Sequence, residues 1–364
     1  MKPAIFFAAL VLAGPAFGQP ELTSKLRARV EQEMQAQSIV GLSMAVARDG
    51  NLVASESFGF QDREQAIPAS QRTMYRWASV SKPLTAVVTM QLVNEGRLDP
   101  DADVRTLVPE FPQKPWAITS RQLLCHQGGI VHYTNGKVVR TQREYDSPNP
   151  FKDVILALDT FKESPLVCEP GTKYSYTTHG YILLGAVAER AAKRPFAELI
   201  QSRISTPCGM TTLRPDYQWE EIPNRAVGYR KNAAGEVVPS TNTDVSWKLA
   251  GGGFISTADD MARFGIGLVS GKLLDDSTRQ QMWTRQRTRD GEATDYGLGF
   301  RIASLNGARL IEHSGAQEKA ATHLMLLPDQ CIVVAVLCNT EGTRLGALTR
   351  DLITIASDAA SDPK

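Results

Sequence analysis

Ser79 and Lys82 lie three residues apart in YRWASVSKPLTAVVTMQLVNEG. On a helix that spacing stacks the two side chains on one face, a turn apart. A serine at the mouth of a helix suits nucleophilic attack, because free N–H groups and the positive end of the helix dipole sit beside it. The Ser79 amide is thus one candidate oxyanion donor. The hydroxyl still needs a base, and an ordinary lysine, with a pKa near about 10.4, is protonated at neutral pH. Lys82 serves as that base only if burial or a neighbouring cation lowers its proton affinity. The pattern Ser-x-x-Lys arises by chance in a chain of 364 residues, so it needs companions.

Two companions follow. PGTKYSYTTHGYILLG leads from a Pro-Gly turn through Tyr176 and Thr178 into a helix. Tyr176 is a candidate second proton-transfer group, since a phenol held between cations is partly ionised. IEHSGAQ then places His313, Ser314 and Gly315 at the end of a strand. There a glycine admits a substrate to the strand backbone, and the amide of Ala316 is the other candidate oxyanion donor. Tyr133, in GGIVHYTN, is a rival for the base role.

Other polar residues do not assemble into a site. His126, His132, His179 and His323 include no pair four residues apart with a Glu between, so they read as helix-surface or core residues rather than ligands. Gly251, Gly252 and Gly253 precede no Lys-Ser/Thr pair and form no phosphate loop. No metal or cofactor is expected.

These residues must be carried by a scaffold whose two ends supply strands. Near the start, β-rich runs from Ile39 to Phe60 flank RDGN, with Asp49 and Gly50 as a hairpin turn. Near the end, FRIAS and ARLIE flank Asn306 and Gly307, and THLMLL and CIVVAVL flank Pro328 and Asp329. A final amphipathic helix is expected from about Glu341 to Ala356. Between them, from Pro83 to about Ser270, helical periodicity dominates: LTAVVTMQLVNEG, SRQLLCH, YILLGAVAERAAK, and TADDMARFGIGLV after an N-cap at Thr257. The economical architecture is α+β, an antiparallel sheet built from both termini (residues 19–80 and 271–364) with flanking helices and an inserted, mainly helical region (83–270). A cleft between the two parts is a natural ligand site.

The composition agrees with an enzyme of ordinary kind. Lys and Arg number 40 against 39 Asp and Glu, without runs, which excludes an electrostatic footprint for nucleic acid. Residues 1–18 read as a signal peptide: Lys2, an apolar stretch from Ala4 to Ala13, then Ala16 and Gly18, with cleavage before Gln19. The apolar run is too short for a bilayer, which needs about 20 residues, and the expected location is a bacterial periplasm. Five cysteines, an odd number without metal spacing, argue against a disulfide framework. Cys331 and Cys338 are read as buried thiols on opposite faces of one strand.

Taken together, SVSK, YTT and HSG, with LLCHQGGIVHY and AGGGFISTADDMARF between them, resemble the serine β-lactamase and penicillin-binding-protein superfamily, on its class C and DD-peptidase branch. The resemblance covers nearly the whole mature chain. CHQGGIVHY, WKLAGGGFIST and VPEFP are most similar to the mitochondrial β-lactamase-like serine peptidases and their bacterial relatives. The resemblance implies a sheet of about five strands with helices on both faces and a helical domain. It also implies Ser79 as the acylated nucleophile, Lys82 as its proton partner, Tyr176 as shared general base and acid, and the Ser79 and Ala316 amides as the oxyanion hole. Thr178, His313, Ser314, Gly315 and Tyr133 are then the substrate-binding positions.

Two departures matter. The tyrosine motif usually ends in Asn, and Thr178 lacks that amide. His313 stands where lactamases more often have Lys, exchanging a fixed positive charge for one that titrates near pH 6.5. The expected function is therefore a peptidase or esterase acting on small peptides or esters through an acyl-enzyme. A β-lactamase or DD-carboxypeptidase is the nearer alternative, and a penicillin-binding sensor without turnover the more distant one. The loops at 133–161 and 215–248 set the choice of acyl group.

Overall fold

The computed structural model describes residues 19–361; the expected leader, residues 1–18, lies outside them. The described chain opens with helix α1 (Gln19–Gln37), then strands β1 (Gly41–Arg48), β2 (Asn51–Asp62) and β3 (Ile67–Pro68). β1 and β2 form a hairpin whose corner, Asp49 at φ 50° and Gly50 at φ 80°, has the paired left-handed residues that match strand twist. Short strands β4 (Tyr75–Arg76), β5 (Arg214–Pro215), β6 (Tyr229–Lys231), β7 (Val237–Pro239) and β8 (Phe254–Ser256) belong to the middle of the chain. The last part supplies β9 (Arg301–Leu305), β10 (Ala308–Gln317), β11 (Ala320–Leu327) and β12 (Ile332–Cys338).

The main sheet has the order β3-β2-β1-β12-β11-β10-β9 and is antiparallel throughout. The two ends of the chain meet at its centre, where Ala45 of β1 faces Ala335 of β12. The sheet thus has seven strands rather than five, the two-residue β3 extending one edge and the five-residue β9 the other. Both faces are covered. Ala45, Ala47, Val333, Ala335 and Leu337 face the helical side, while Leu42, Met44, Val46, Val334 and Val336 face α1 and the C-terminal helix. Burial on both faces is why these strands read as uninterrupted apolar runs.

The C-terminal helix spans Gly346–Ser361, five residues later than expected, because Thr340 bridges to Tyr229 and Glu341–Gly342 form a turn, with Gly342 at φ 72°. Cys331 is exposed and left-handed (φ 53°) just before β12, while Cys338 is buried within it. The two cysteines therefore do not share a strand, and one is not a core thiol.

Between β2 and β9 lie α2 (Ser81–Asn94), α3 (Ser120–Leu124), α4 (Thr178–Ala192), the short helix Leu249–Gly252 and the helix Ala258–Val269. Thr257 caps the last of these by accepting from the Asp260 amide. The middle is not helical alone: β4, β8 and β5 form a small sheet, and β6 and β7 a ribbon. One continuous core runs from the helical face of the main sheet through α2 and α4. Nearly every residue of α2 is buried, each Leu or Val contributing about 1.5–3 kcal/mol of hydrophobic stabilisation.

Candidate active site

Ser79 sits in a single 3₁₀ turn, Ala78–Val80, that runs straight into α2. The turn is pinned on several sides. The Trp77 amide donates to the Phe254 carbonyl of β8 at 2.8 Å, and the Thr322 hydroxyl of β11 donates to the Trp77 carbonyl at 2.9 Å. Ala78 is held at φ 48°, a left-handed conformation that costs a non-glycine residue on the order of 1 kcal/mol and persists only where surroundings enforce it. The enforced turn leaves Ser79 half-exposed above a buried Lys82.

Lys82 Nζ donates to Ser79 Oγ at 3.0 Å, Thr178 Oγ1 at 3.2 Å and the Gly251 carbonyl at 2.8 Å. All three partners are uncharged. Burial, and then the Lys248 ammonium, pull its pKa well below the usual lysine value. The condition set by the sequence, burial or a neighbouring cation, is met by both at once. Thr178 opens α4, capped by Thr177, whose hydroxyl accepts from the Gly180 amide. Gly251 is brought close by the Gly-rich short helix: a Cβ on Gly251 would lie 2.8 Å from Thr178 Cγ2. Thr178 therefore retains a contact to Lys82 through its hydroxyl.

Burial of the Tyr176 phenol drives its pKa upward, against the opposing influence of the neighbouring Ser79. Lys82 Nζ lies over its ring, 4.9 Å from the centroid. The partly ionised phenol expected from sequence is thus not what this environment favours; the hydroxyl stays protonated. Tyr133 is 52 % exposed and packs at a tilt against His132, with ring centroids 3.7 Å apart, an exposed position unlike that of the buried Tyr176.

The third motif lies on β10, beyond the point where β9 stops pairing at Glu312. Residues 313–317 therefore have an open edge beside the serine turn. A Cβ on Gly315 would meet the Trp77 carbonyl at 2.6 Å and Ala78 Cβ at 3.0 Å. The glycine thus admits the nucleophile's own turn, where the sequence reading had it admit a substrate. Ser314 and Ala316 are exposed on either side of it.

His313 departs from expectation. It is 5 % exposed. Its Nδ1 is 2.8 Å from the Ser314 carbonyl, which only accepts, so Nδ1 carries the proton and Nε2 accepts from the Tyr296 hydroxyl at 2.8 Å. Burial, then Lys82, push its pKa down to about 3. The side chain is a neutral structural ring, not a cation titrating near 6.5.

Sequence reasoning missed the shell beneath these groups. His126 and His132 accept the Thr177 and Thr178 amides on their Nδ1 atoms, both at 3.2 Å, so LLCHQGGIVHY holds the tyrosine loop. Tyr296 and Lys248 were also missed. Lys248 lies inside the WKLAGGG phrase and its position was the available signal; nothing in periodicity marks Tyr296. The cleft of about 520 Å³ running along β10 is lined by Tyr174, Tyr176, Tyr296, His313, Ser314 and Ala316, and continues to Arg301 and Arg344. Among the described residues no group of three His, Cys, Asp or Glu side chains is arranged to hold a metal ion, and no helix is long and apolar enough to cross a membrane.

The chain and its fold have counterparts. The Beta-lactamase family model matches residues 26–357. The serine beta-lactamase-like protein LACTB, mitochondrial, of Homo sapiens is 27 % identical, over 90 % of this chain and 78 % of that protein. Among solved structures, EstCE1, a hydrolase with promiscuous acyltransferase activity, superposes with a TM-score of 0.77 at 21 % identity, covering 93 % of this chain and all of that one. D-amino acid amidase from Ochrobactrum anthropi SV3 superposes with a TM-score of 0.76 at 20 % identity, covering 94 % of this chain and all of that one.

Proposed function

Given that the chain belongs to the β-lactamase family, we propose that it is a serine hydrolase that forms an acyl-enzyme at Ser79 and turns over small peptides or esters. One observation carries the reading: the buried Lys82 amine lies 3.0 Å from Ser79 Oγ with only uncharged partners. A neutral amine has two N–H groups and one lone pair. The Gly251 carbonyl and the Thr178 oxygen take the N–H groups, which leaves the lone pair for the Ser79 proton.

In the first step Ser79 Oγ bonds to the substrate carbonyl carbon as its proton passes to Lys82 Nζ. The Ser79 and Ala316 amides are the donors for the developing oxyanion. Tyr176, protonated beside Ser79, hands a proton to the departing amine or alcohol and is recharged from Lys82. Water then repeats the sequence on the acyl carbon, releasing the acid and restoring Ser79.

The peptidase or esterase reading is preferred to a β-lactamase because position 313 offers a neutral ring where a substrate carboxylate would need a cation. The relatives of the same fold that act on D-amino acid amides, or that are described as hydrolases with acyltransferase activity, are consistent with it. Ser79→Ala should abolish labelling by a fluorophosphonate with an unchanged circular dichroism spectrum. Full labelling of the variant would refute the assignment. Turnover of a chromogenic cephalosporin as fast as the best ester would favour the lactamase alternative.

A further inference from the structure

Arg76 closes β4, three residues before Ser79, and is 4 % exposed. Its guanidinium reaches three places at once. Nε donates to Asp216 Oδ2 at 2.5 Å, Nη2 to the Thr243 carbonyl at 2.8 Å, and Nη1 to the Thr243 hydroxyl and the Glu318 carbonyl, both at 3.4 Å. Charge balance alone would need only Asp216, which is itself buried and also lies 2.9 Å from Arg225 Nη2. The other contacts go to two segments far apart in sequence, and both belong to the site.

The first segment runs from Thr243 to Ser256 and carries the Gly251 carbonyl that accepts from Lys82 at 2.8 Å. It is tied back at three points. The guanidinium takes Thr243; Asp216, held by that same guanidinium, donates its amide to the Gly253 carbonyl at 2.8 Å; and β4 pairs with β8, Arg76 opposite Ile255. The second segment is the turn between β10 and β11. Glu318 follows Ala316 by two residues, where β10 has run past the end of its pairing with β9 and faces β11, Ala316 opposite Ala321. Arg76 ties this turn to the strand that leads into the serine.

We propose that Arg76 is a positioning residue for acylation: one planar guanidinium fixes the Gly251 segment and the β10–β11 turn against the strand that leads to Ser79, so that Lys82 and the Ala316 amide address the same carbonyl group. The proposal rests on Ser79 being the acylated residue and on the Ala316 amide being an oxyanion donor. A guanidinium suits the task because its donors are set in one rigid plane, whereas a lysine ammonium is a compact charge on a flexible stem. A lysine would satisfy Asp216 and leave the Thr243 and Glu318 carbonyls untied.

Arg76→Lys therefore separates positioning from charge balance. The test is steady-state hydrolysis, by the full chain, of a p-nitrophenyl ester and of its thionoester counterpart, whose sulfur is a poor acceptor for amide donors. A displacement near 1 Å costs about a hundredfold in rate, so kcat for the ester should fall by about tenfold to about a hundredfold while KM stays within a few-fold and the circular dichroism spectrum is unchanged. The preference for ester over thionoester, which reads the oxyanion donors, should fall about tenfold. Wild-type kcat in Arg76→Lys, a loss carried by KM, or an unchanged preference overturns the proposal. Thr243→Val removes one contact and no charge, and decides the matter if Arg76→Lys does not fold: a lowered kcat at unchanged KM is expected, and wild-type kinetics overturn the proposal. Ser79→Ala keeps the two claims apart. Fluorophosphonate labelling lost in Ser79→Ala, beside wild-type kinetics in Arg76→Lys, sinks only the role of Arg76; labelling retained in Ser79→Ala sinks the nucleophile and the proposal with it.

Discussion

Gly315 is wedged between the Trp77 carbonyl and the Thr322 hydroxyl, which would lie 2.6 Å and 2.4 Å from an added Cβ. Both neighbours are bonded to each other, so neither is free to retreat without moving the serine turn. Gly315→Ala should shift Ser79 relative to the Ala316 amide, and a misplacement near 1 Å costs about a hundredfold in rate. Labelling kinetics read the loss, with circular dichroism to establish that the fold remains; a rate within a few-fold of wild type would contradict this account. Residue type was legible at Ser79, Lys82, Tyr176, Thr178 and Gly315, because each sits in a short motif with a chemical reason for its spacing. The electrostatic state was not. His313 owes its lowered proton affinity to burial and then to Lys82, and Tyr176 its raised one chiefly to burial, a property of neighbours distant in sequence.

At the scale of elements, the loop 125–133 and the start of α4 are joined through imidazoles. His126 and His132 accept backbone amides, while His179 donates from Nδ1 to the Val131 carbonyl at 2.9 Å. A protonated ring loses its acceptor, so charging His126 or His132 severs a link. Burial, as the first cause, depresses His132 and His179 to about 4 and His126 well below its usual value. The unfolded chain, with histidines near about 6.5, then binds more protons than the folded one between pH 6.5 and 4. Stability should rise with pH across that window, be fully present above 6.5, and be lost as pH falls, by about 1.4 kcal/mol per unit for each histidine inside it. Urea midpoints at pH 7, 6 and 5 measure the slope. His132→Asn, which keeps a side-chain acceptor but cannot titrate, should flatten it; an unchanged slope would show that His132 is not among the titrating groups. The helices and hairpins themselves were readable from periodicity and turn residues. The short strands β4, β5 and β8 were not, since two or three residues carry no period of their own.

Across the whole molecule, sequence reading found that both ends build the sheet and the middle does not. It found β9 in FRIAS beside the Asn306-Gly307 turn, but missed β3 and the small sheets; the two-residue β3 is held by pairing with the longer β2 rather than by local preference. The layer formed by α1 and the C-terminal helix has a further consequence. Gln37 exchanges hydrogen bonds with the Arg344 backbone, and Arg29 pairs with Asp351 at 2.7 Å, so the two helices run in opposite senses and their far tips, near residues 20 and 360, point the same way. The described portion of the chain is thus almost a closed ring. A circular permutant that bridges those tips with a short flexible linker and opens the exposed turn at Ala234–Gly235 should fold and label at Ser79 like the parent; loss of soluble protein would show that chain order matters to assembly in a way the native contacts do not reveal.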